Sequence, residues 1–388
     1  MGIRHPGEVS WLEIDANALA HNARVFREML GAGVRLGGVL KGNAYGHGFA
    51  ETLPPAHAAC DALFLIEARD ALAVRAFEAR TSAVRRPVLV LGAVDADEAV
   101  ELARAGVDVA LTDAGQARFI PALRAAGVRL RGQIHLDTGL GREGFMPDEI
   151  PSALQWIAPD AIEVTGVLSH FANIEDVTEQ SYAARQLAAF EEGVRRVREA
   201  LGLTGPLERH IAASAAALLL PAAQKDVVRI GISLYGLWPS NETRLSAHAL
   251  LGRVPELRPA LSWRCRSQLT KWLPAGSYVG YGCTYRCPTR MRIAVLPLGY
   301  YDGYPRLLSS RAHVLVNGQR CPVLGRVMMN HTVIDVTGAA QPEGVVTATL
   351  LGRDGDEQVS ADQLAIWAQT INYEVVTRIG AHLRRIVI

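Results

Sequence analysis

This 388-residue chain lacks paired cysteines, an excess of charge of either sign, long apolar runs and internal repeats. Its five cysteines, Cys60, Cys265, Cys283, Cys287 and Cys321, are scattered and contain no Cys-x2-Cys pair. That argues against a disulfide framework or a structural zinc site and fits a reducing cytosol. Forty Lys+Arg against 39 Asp+Glu leave a formal charge of +1. So even a balance points away from nucleic acid, an anionic membrane or a polyanion, and toward a small-molecule partner. The longest charge-free apolar stretch, 211–224, contains a proline and is too short to span a bilayer. The opening Met1-Gly-Ile-Arg-His-Pro has no hydrophobic signal core, and Pro6 spoils a myristoylation motif. A cytoplasmic protein is expected.

What is present is ordinary for a globular protein: 49% hydrophobic and 20% charged residues, 36 Gly and 19 Pro. At roughly 150 residues per domain the length suggests two to three domains. From Trp11 to about Trp238, short apolar runs alternate with helix-period stretches such as Asp95–Ala105 and Glu179–Leu201. Candidate strands are Arg35–Lys41, Ala62–Ile66, Pro87–Leu91, Val107–Leu111, Leu130–Asp137, Ala161–Leu168, Arg209–Ala213 and Val227–Ile230. Eight strands alternating with helices predict an α/β fold, a (β/α)8 TIM-like barrel, with a doubly wound open sheet as the rival. After Pro239 the texture changes to short alternating runs: Ala260–Leu269, Met291–Leu296, Val314–Val316, Thr332–Val336 and Val346–Leu350. Asn317-Gly318 between such runs is a strong hairpin signal. The expected division is a barrel over 11–240 and a mostly β domain over 244–388.

Several motifs carry chemistry. Leu40-Lys41-Gly-Asn-Ala-Tyr45-Gly-His47-Gly48 ends an apolar strand on a lysine. Alone, Lys41 reads as a solvated strand-end lysine; the tyrosine, glycines and histidine behind it favour a Schiff-base nucleophile at a barrel mouth. Ser214 and Arg229-Ile-Gly231-Ile232 follow the last two strands, where barrels often build phosphate sites. Ser214 could equally cap a helix, and Arg229 could form a structural ion pair. The run Gly139-Leu-Gly141-Arg142-Glu143-Gly144 superficially matches a dinucleotide fingerprint, but Pro147 and Pro151 interrupt the helix it requires. Arg142 is better cast as a carboxylate clamp. On the strand before it, Gln133, His135 and Asp137 share one face, which suggests a polar barrel interior. His170 ends strand six, as a core histidine or a functional one. In the β domain, Tyr281 and the pair Tyr300-Tyr301 lie beside glycines; such tyrosines form turns or interfaces, and transfer protons where nearby cations favour the phenolate.

As a set these residues resemble the alanine racemase family over nearly the whole chain. The most specific motifs are Lys41-Gly-Asn-Ala-Tyr-Gly-His-Gly and Tyr281-Gly with Gly-Tyr-Tyr-Asp-Gly-Tyr-Pro-Arg306. The resemblance implies a homodimeric enzyme dependent on pyridoxal 5'-phosphate, with active sites shared between subunits. It casts Lys41 as the cofactor lysine and Tyr281 as the second acid/base, reaching the partner subunit's lysine site. Tyr45, Ser214, Gly231, Ile232 and Tyr373 resemble the phosphate-side residues. Arg229 resembles the arginine facing the pyridine nitrogen, and His170 the histidine linking it to the catalytic tyrosine. Arg142 and Met329 resemble substrate-carboxylate contacts, and Tyr300 an entrance tyrosine. The implied activity interconverts L- and D-alanine by a two-base mechanism and supplies D-alanine for cell-wall synthesis. Broader action on serine, lysine or other amino acids, and a non-catalytic cofactor carrier, are the alternatives.

Three departures from the family pattern stand out. His135 occupies the place of a lysine that is commonly carbamylated, so the anion orienting Arg142 is expected to be missing, with a water, a chloride or neutral His135 in its place. Asn330 stands where an aspartate is usual, and Glu143 where an apolar residue is usual, as a competing partner for Arg142. These departures point toward relaxed substrate specificity.

Overall fold

The computed structural model describes residues 9–174, 180–339 and 344–388. Residues 1–8, and with them the reading of the opening segment, lie outside the described residues. Two compact units are built from interleaved pieces of chain: a barrel unit of Ala20–Lys41 with Leu53–Leu257, and a β unit comprising the described residues through Leu19, Gly42–Thr52 and Arg258–Ile388. No described helix is long and apolar enough to cross a membrane.

The first strand, β1 (Ser10–Ile14), belongs to the β unit. The next eight form the barrel: β2 (Arg35–Val39), β3 (Ala62–Leu65), β4 (Val88–Val90), β5 (Asp108–Leu111), β6 (Leu130–His135), β7 (Ile162–Leu168), β8 (Glu208–His210) and β9 (Val227–Ile230). Every pairing is parallel, in the order β8-β7-β6-β5-β4-β3-β2-β9. The Arg229 N–H donates to Ala212 O at 3.0 Å, and a parallel Ala213–Arg229 bridge brings β9 beside the chain leaving β8. The barrel is thereby nearly closed, and the open doubly wound sheet is set aside. Runs such as Ala-Leu-Phe-Leu in β3 are buried throughout, as strands covered on both faces must be. The crossover helix Ala96–Arg104 starts in a capping box, with Asp95 accepting from the Glu98 N–H and Glu98 accepting from the Asp95 N–H.

Strand ends are where expectation and structure differ. The run Arg35–Lys41 is a strand only to Val39, and Leu130–Asp137 only to His135. In the latter case the Asp137 carboxylate turns the chain, accepting the N–H groups of Gly139, Leu140 and Gly141. The strand expected over Arg209–Ala213 runs over Glu208–His210. The helix expected from Glu179 covers Ser181–Leu201, with residue 179 outside the described residues.

The β unit adds β10 (Leu261–Arg266), β11 (Leu269–Leu273), β12 (Tyr278–Val279), β13 (Tyr285–Arg286), β14 (Met291–Leu296), β15 (His313–Val316), β16 (Gln319–Pro322), β17 (Thr332–Asp335), β18 (Thr347–Asp354), β19 (Glu357–Val359) and β20 (Arg384–Val387). The largest sheet runs β16-β15-β18-β10-β1-β20, with β19 on β18. β1 lies inside that sheet, antiparallel to β10 and parallel to β20. The run expected over Ala260–Leu269 divides at Ser267-Gln268 between this sheet and the β11-β14-β17 sheet. Asn317-Gly318 turns β15 into β16 with φ of 51° and 74°, the pair of positive angles a type I′ turn requires. Helices Ala361–Ala368 and Asn372–Thr377 are exceptions to a mostly β unit.

Candidate active site

Lys41 stands two residues beyond β2, and the backbone after it enters a left-handed turn: φ is 61°, 54°, 53° and 52° from Gly42 to Tyr45. Gly42 adopts this conformation without steric penalty and Asn43 tolerates it; for Ala44 and Tyr45 it costs about 1–2 kcal/mol each. Hydrogen bonds hold the turn in place. The Asn43 side chain accepts from the Phe49 N–H at 2.8 Å, and the Arg385 guanidinium donates to Gly46 O from Nε (3.1 Å) and Nη2 (2.9 Å). Strain at a residue with chemistry to perform is a mark of functional sites. Gly46 itself has φ of 80°, and a Cβ there would lie 1.9 Å from Val376 O. Gly46→Ala is therefore expected to cost about 3 kcal/mol or more from backbone strain and overpacking, read as a lowered denaturant midpoint. A wild-type midpoint would overturn this account of the turn.

At the carboxyl end of β6, Asp137 anchors the loop that carries Arg142. Burial opposes its charge, but the three backbone N–H bonds outweigh burial and hold the carboxyl below its ordinary range. Arg142 Nε donates to Glu143 Oε2 at 2.5 Å. The anion expected to be missing beside Arg142 is thus present as Glu143, supplied by the neighbouring residue. His135 is buried, its Nδ1 has no hydrogen-bond partner, and Glu143 Oε1 is 3.8 Å away. Burial pushes the His135 imidazole down to about 4, so it is neutral at physiological pH. Lys41 belongs to the same electrostatic neighbourhood. Burial first, then the charges of Arg142 and Arg229, push its amine below the ordinary lysine range, against a smaller opposing effect of Glu143.

Arg229, on β9, is buried and meets no carboxylate among the described residues, so the structural ion pair is set aside. Its Nη1 donates to His210 O (3.0 Å) and His210 Nδ1 (2.5 Å); its Nη2 donates to Ser169 O (2.6 Å), Ile211 O (3.2 Å) and His170 Nδ1 (3.2 Å). Both imidazoles must therefore be neutral acceptors. Burial, then Arg229, Arg142 and Lys41, push His170 down to about 3; burial and Arg229 likewise carry His210 well below its ordinary value. Burial and the Arg142 charge push Arg229 itself down to about 10, which still leaves it cationic. Its Nε–H is the guanidinium donor for which the described residues supply no acceptor. Ser214 is not the cap of its helix: it is the first helical residue, and its Oγ accepts from the Gly231 N–H at 3.1 Å, tying the loops after β8 and β9 together. Gly231 and Ile232 lie at that junction, both buried. Sequence reasoning assigned no part to His210, although a Glu-Arg-His segment on a buried barrel strand was the available signal.

In the β unit, Tyr281 follows Gly280 (φ 72°) and precedes Gly282 (φ 75°), and in the single chain it is 72% exposed. The turn carrying Tyr300 and Tyr301 is paired to the segment carrying Met329, through Tyr300 N–H to Met328 O (3.1 Å) and Tyr301 N–H to Met329 O (3.0 Å). Tyr300, Met329 and Asn330 are likewise exposed. Tyr45 and Tyr373 come together, ring centroids 6.2 Å apart, and burial raises the Tyr45 phenol above its ordinary range. Within each unit, then, the residues singled out cluster: Lys41, Arg142, His170, Ser214, Arg229, Gly231 and Ile232 at the strand ends of the barrel, Tyr45 with Tyr373 and Tyr300 with Met329 in the β unit.

Comparison with known proteins agrees with both units. The family model for the N-terminal domain of alanine racemase matches residues 14–239, and that for its C-terminal domain residues 260–387. Alanine racemase of Symbiobacterium thermophilum is 38% identical over 387 residues, covering 97% of this chain and 96% of that protein. Among solved structures, alanine racemase from Streptomyces coelicolor A3(2) is 35% identical with a TM-score of 0.87, over 98% of each chain. A histidine racemase from Leuconostoc mesenteroides subsp. sake NBRC 102480 is 27% identical with a TM-score of 0.83, over the full length of both.

Proposed function

The chain belongs to the alanine racemase family and is an amino-acid racemase, and we propose that it interconverts L- and D-alanine with pyridoxal 5'-phosphate as cofactor. The observation that carries this reading is Lys41, just beyond the carboxyl end of β2, with its amine made less basic by burial and then by the guanidinium groups of Arg142 and Arg229. The residues present fit that cofactor. A buried arginine with an unengaged Nε–H suits an aromatic nitrogen acceptor, and the Ser214–Gly231 junction offers a hydroxyl beside backbone N–H groups for a phosphate, as do the phenols of Tyr45 and Tyr373. Pyridoxal phosphate, when bound, supplies the electron sink that makes a substrate Cα–H acidic.

What the chain adds is orientation and proton transfer. Lys41 holds the cofactor and moves the proton on one face of the substrate; Tyr281 moves it on the other. Arg142 binds the substrate carboxylate bidentately, steadied by Glu143, and Met329 lines the same end. Arg229, flanked by neutral imidazoles, would hold the pyridine nitrogen of the cofactor by a hydrogen bond and leave that nitrogen unprotonated. His170 links Arg229 to the tyrosine side of the site, and Tyr300 stands at the entrance. The barrel unit supplies the cofactor lysine and the β unit the second base. The exposure of Tyr281 in a single chain supports a homodimer in which each subunit completes the other's site. The enzyme acts in the cytoplasm and supplies D-alanine for cell-wall synthesis.

Two other readings predict different outcomes. Glu143, Asn330 and the likeness to a histidine racemase favour a broader substrate range. A cofactor carrier would use Lys41 but has no need of Tyr281. Proton NMR in heavy water separates them, with holoenzyme and L-alanine, L-serine, L-lysine, L-methionine or L-histidine in separate tubes and chiral analysis of each. The expected result is loss of the alanine Cα–H signal with appearance of D-alanine. Faster exchange of a larger amino acid would move the assignment to the broader racemase, and no exchange in any tube would leave the carrier.

A further inference from the structure

A chain of buried polar groups runs through the barrel interior to Arg229, and its donors and acceptors can be assigned one by one. Asp108 on β5 is buried; its Oδ1 accepts from Arg131 Nε at 2.7 Å and its Oδ2 from Thr165 Oγ1 at 2.7 Å. Glu208 on β8 is paired with Arg35. Between these carboxylates lies the Gln133 side chain, its Nε2 3.0 Å from Asp108 Oδ2 and 3.3 Å from Glu208 Oε1. A carboxylate can only accept, so both amide hydrogens of Gln133 face the acids and its Oε1 faces away. That oxygen is 2.6 Å from Nε2 of the fully buried His210. An amide oxygen can only accept, so His210 carries its proton on Nε2, and its Nδ1 lone pair is left to accept from Arg229 Nη1.

We propose that Gln133 is a positioning residue for Arg229: oriented by Asp108 and Glu208, its amide fixes His210 as the Nε2–H tautomer and thereby holds the guanidinium. The inference rests on the racemase reading for its catalytic consequence, though its structural part is independent of that reading. With the Gln133 amide reversed, its hydrogens would face His210 Nε2 and move the imidazole proton to Nδ1. Two N–H donors would then confront one another at the Arg229 contact, and the guanidinium would have to move. The two carboxylates prevent this, because reversal would set the amide oxygen against both of them. Burial first, then Arg229, His135 and Arg35, disfavour the protonated form of His210 and keep the acceptor available, while Glu208 Oε1 lies 3.9 Å from its Nε2.

The test uses holoenzyme labelled with 15N-histidine, in native form and as Gln133→Met and Gln133→Glu. In the native protein the 15N spectrum is expected to show His210 protonated at Nε2 alone. Gln133→Met is expected to shift His210 toward the Nδ1–H tautomer and to lower kcat about 10–100-fold, the scale on which an orienting partner behind a histidine is felt, with KM changed far less. Gln133→Glu guards against misfolding: as a carboxylic acid it reproduces the amide pattern, its O–H donating to an acid and its C=O accepting from His210. As a carboxylate it instead favours an imidazolium against Arg229. Its kcat relative to native is therefore expected to recover as the pH falls. A native tautomer and native kcat in Gln133→Met, or a pH-independent ratio in Gln133→Glu, would overturn the proposal. If the native enzyme racemises nothing while the tautomer moves as expected, the racemase reading fails and the positioning role stands.

Discussion

Lys41→Ala is expected to release pyridoxal phosphate from covalent attachment and to cut racemisation by on the order of 10³-fold or more, the loss that follows removal of an activated nucleophile. The native amine ionises below the ordinary lysine range because it is buried and faces Arg142 and Arg229. A larger neutral fraction is therefore available at physiological pH to condense with an aldehyde and to take a proton. Lys41→Arg is the companion variant, since it retains a cation beside the left-handed turn but cannot form a Schiff base. Borohydride reduction followed by intact-mass measurement should add one cofactor mass to the native chain and none to either variant. Retention of that mass by Lys41→Ala would reassign the cofactor lysine.

Tyr281→Phe carries the second large effect. Loss of a general acid/base group costs about 10²–10⁴-fold, and a two-base enzyme places that loss on one face only. Starting from L-alanine and D-alanine separately in heavy water, the variant should wash out Cα–H from one enantiomer and leave the other nearly inert, with inversion blocked in both. The cofactor should remain bound, since Tyr281 is not among the residues proposed to hold it. Equal rates from both enantiomers at the native level would remove Tyr281 from the mechanism.

Much of this site is legible from sequence because strand-end position is a local property. A lysine closing an apolar run and an arginine in the glycine loop after another mark a barrel mouth without knowledge of which strands are neighbours. The residues that support them are of a different kind. Gln133 stands on the polar face that period-two alternation assigns to it, but its partners Asp108, Glu208 and His210 come from other strands, up to 77 positions away. No spacing along the chain reveals such contacts. The alternation of Trp11–Ile14 is likewise compatible with any sheet; pairing with β10 and β20 is decided by tertiary packing. Glu143 is visible as a competitor of Arg142, while its part as the anion beside that arginine depends on a 2.5 Å contact made only in the folded chain. The left-handed run through Ala44 and Tyr45 was hidden for a related reason: these two residues disfavour that conformation intrinsically, and the Arg385 clamp holding it lies 339 positions along the chain.

The position of β1 has a consequence for how the polypeptide is made. β1 precedes all eight barrel strands in the chain, and its parallel neighbour β20 follows them, with Trp11 opposite Arg384. At about 5–20 residues per second, β1 waits roughly 20 s or longer for that neighbour. All eight barrel strands lie between the two, so the barrel can form on the nascent chain while β1 still presents an unpaired edge, open to pairing with another nascent chain. Nascent β1, rather than any part of the barrel, is then the segment a chaperone has most reason to shield.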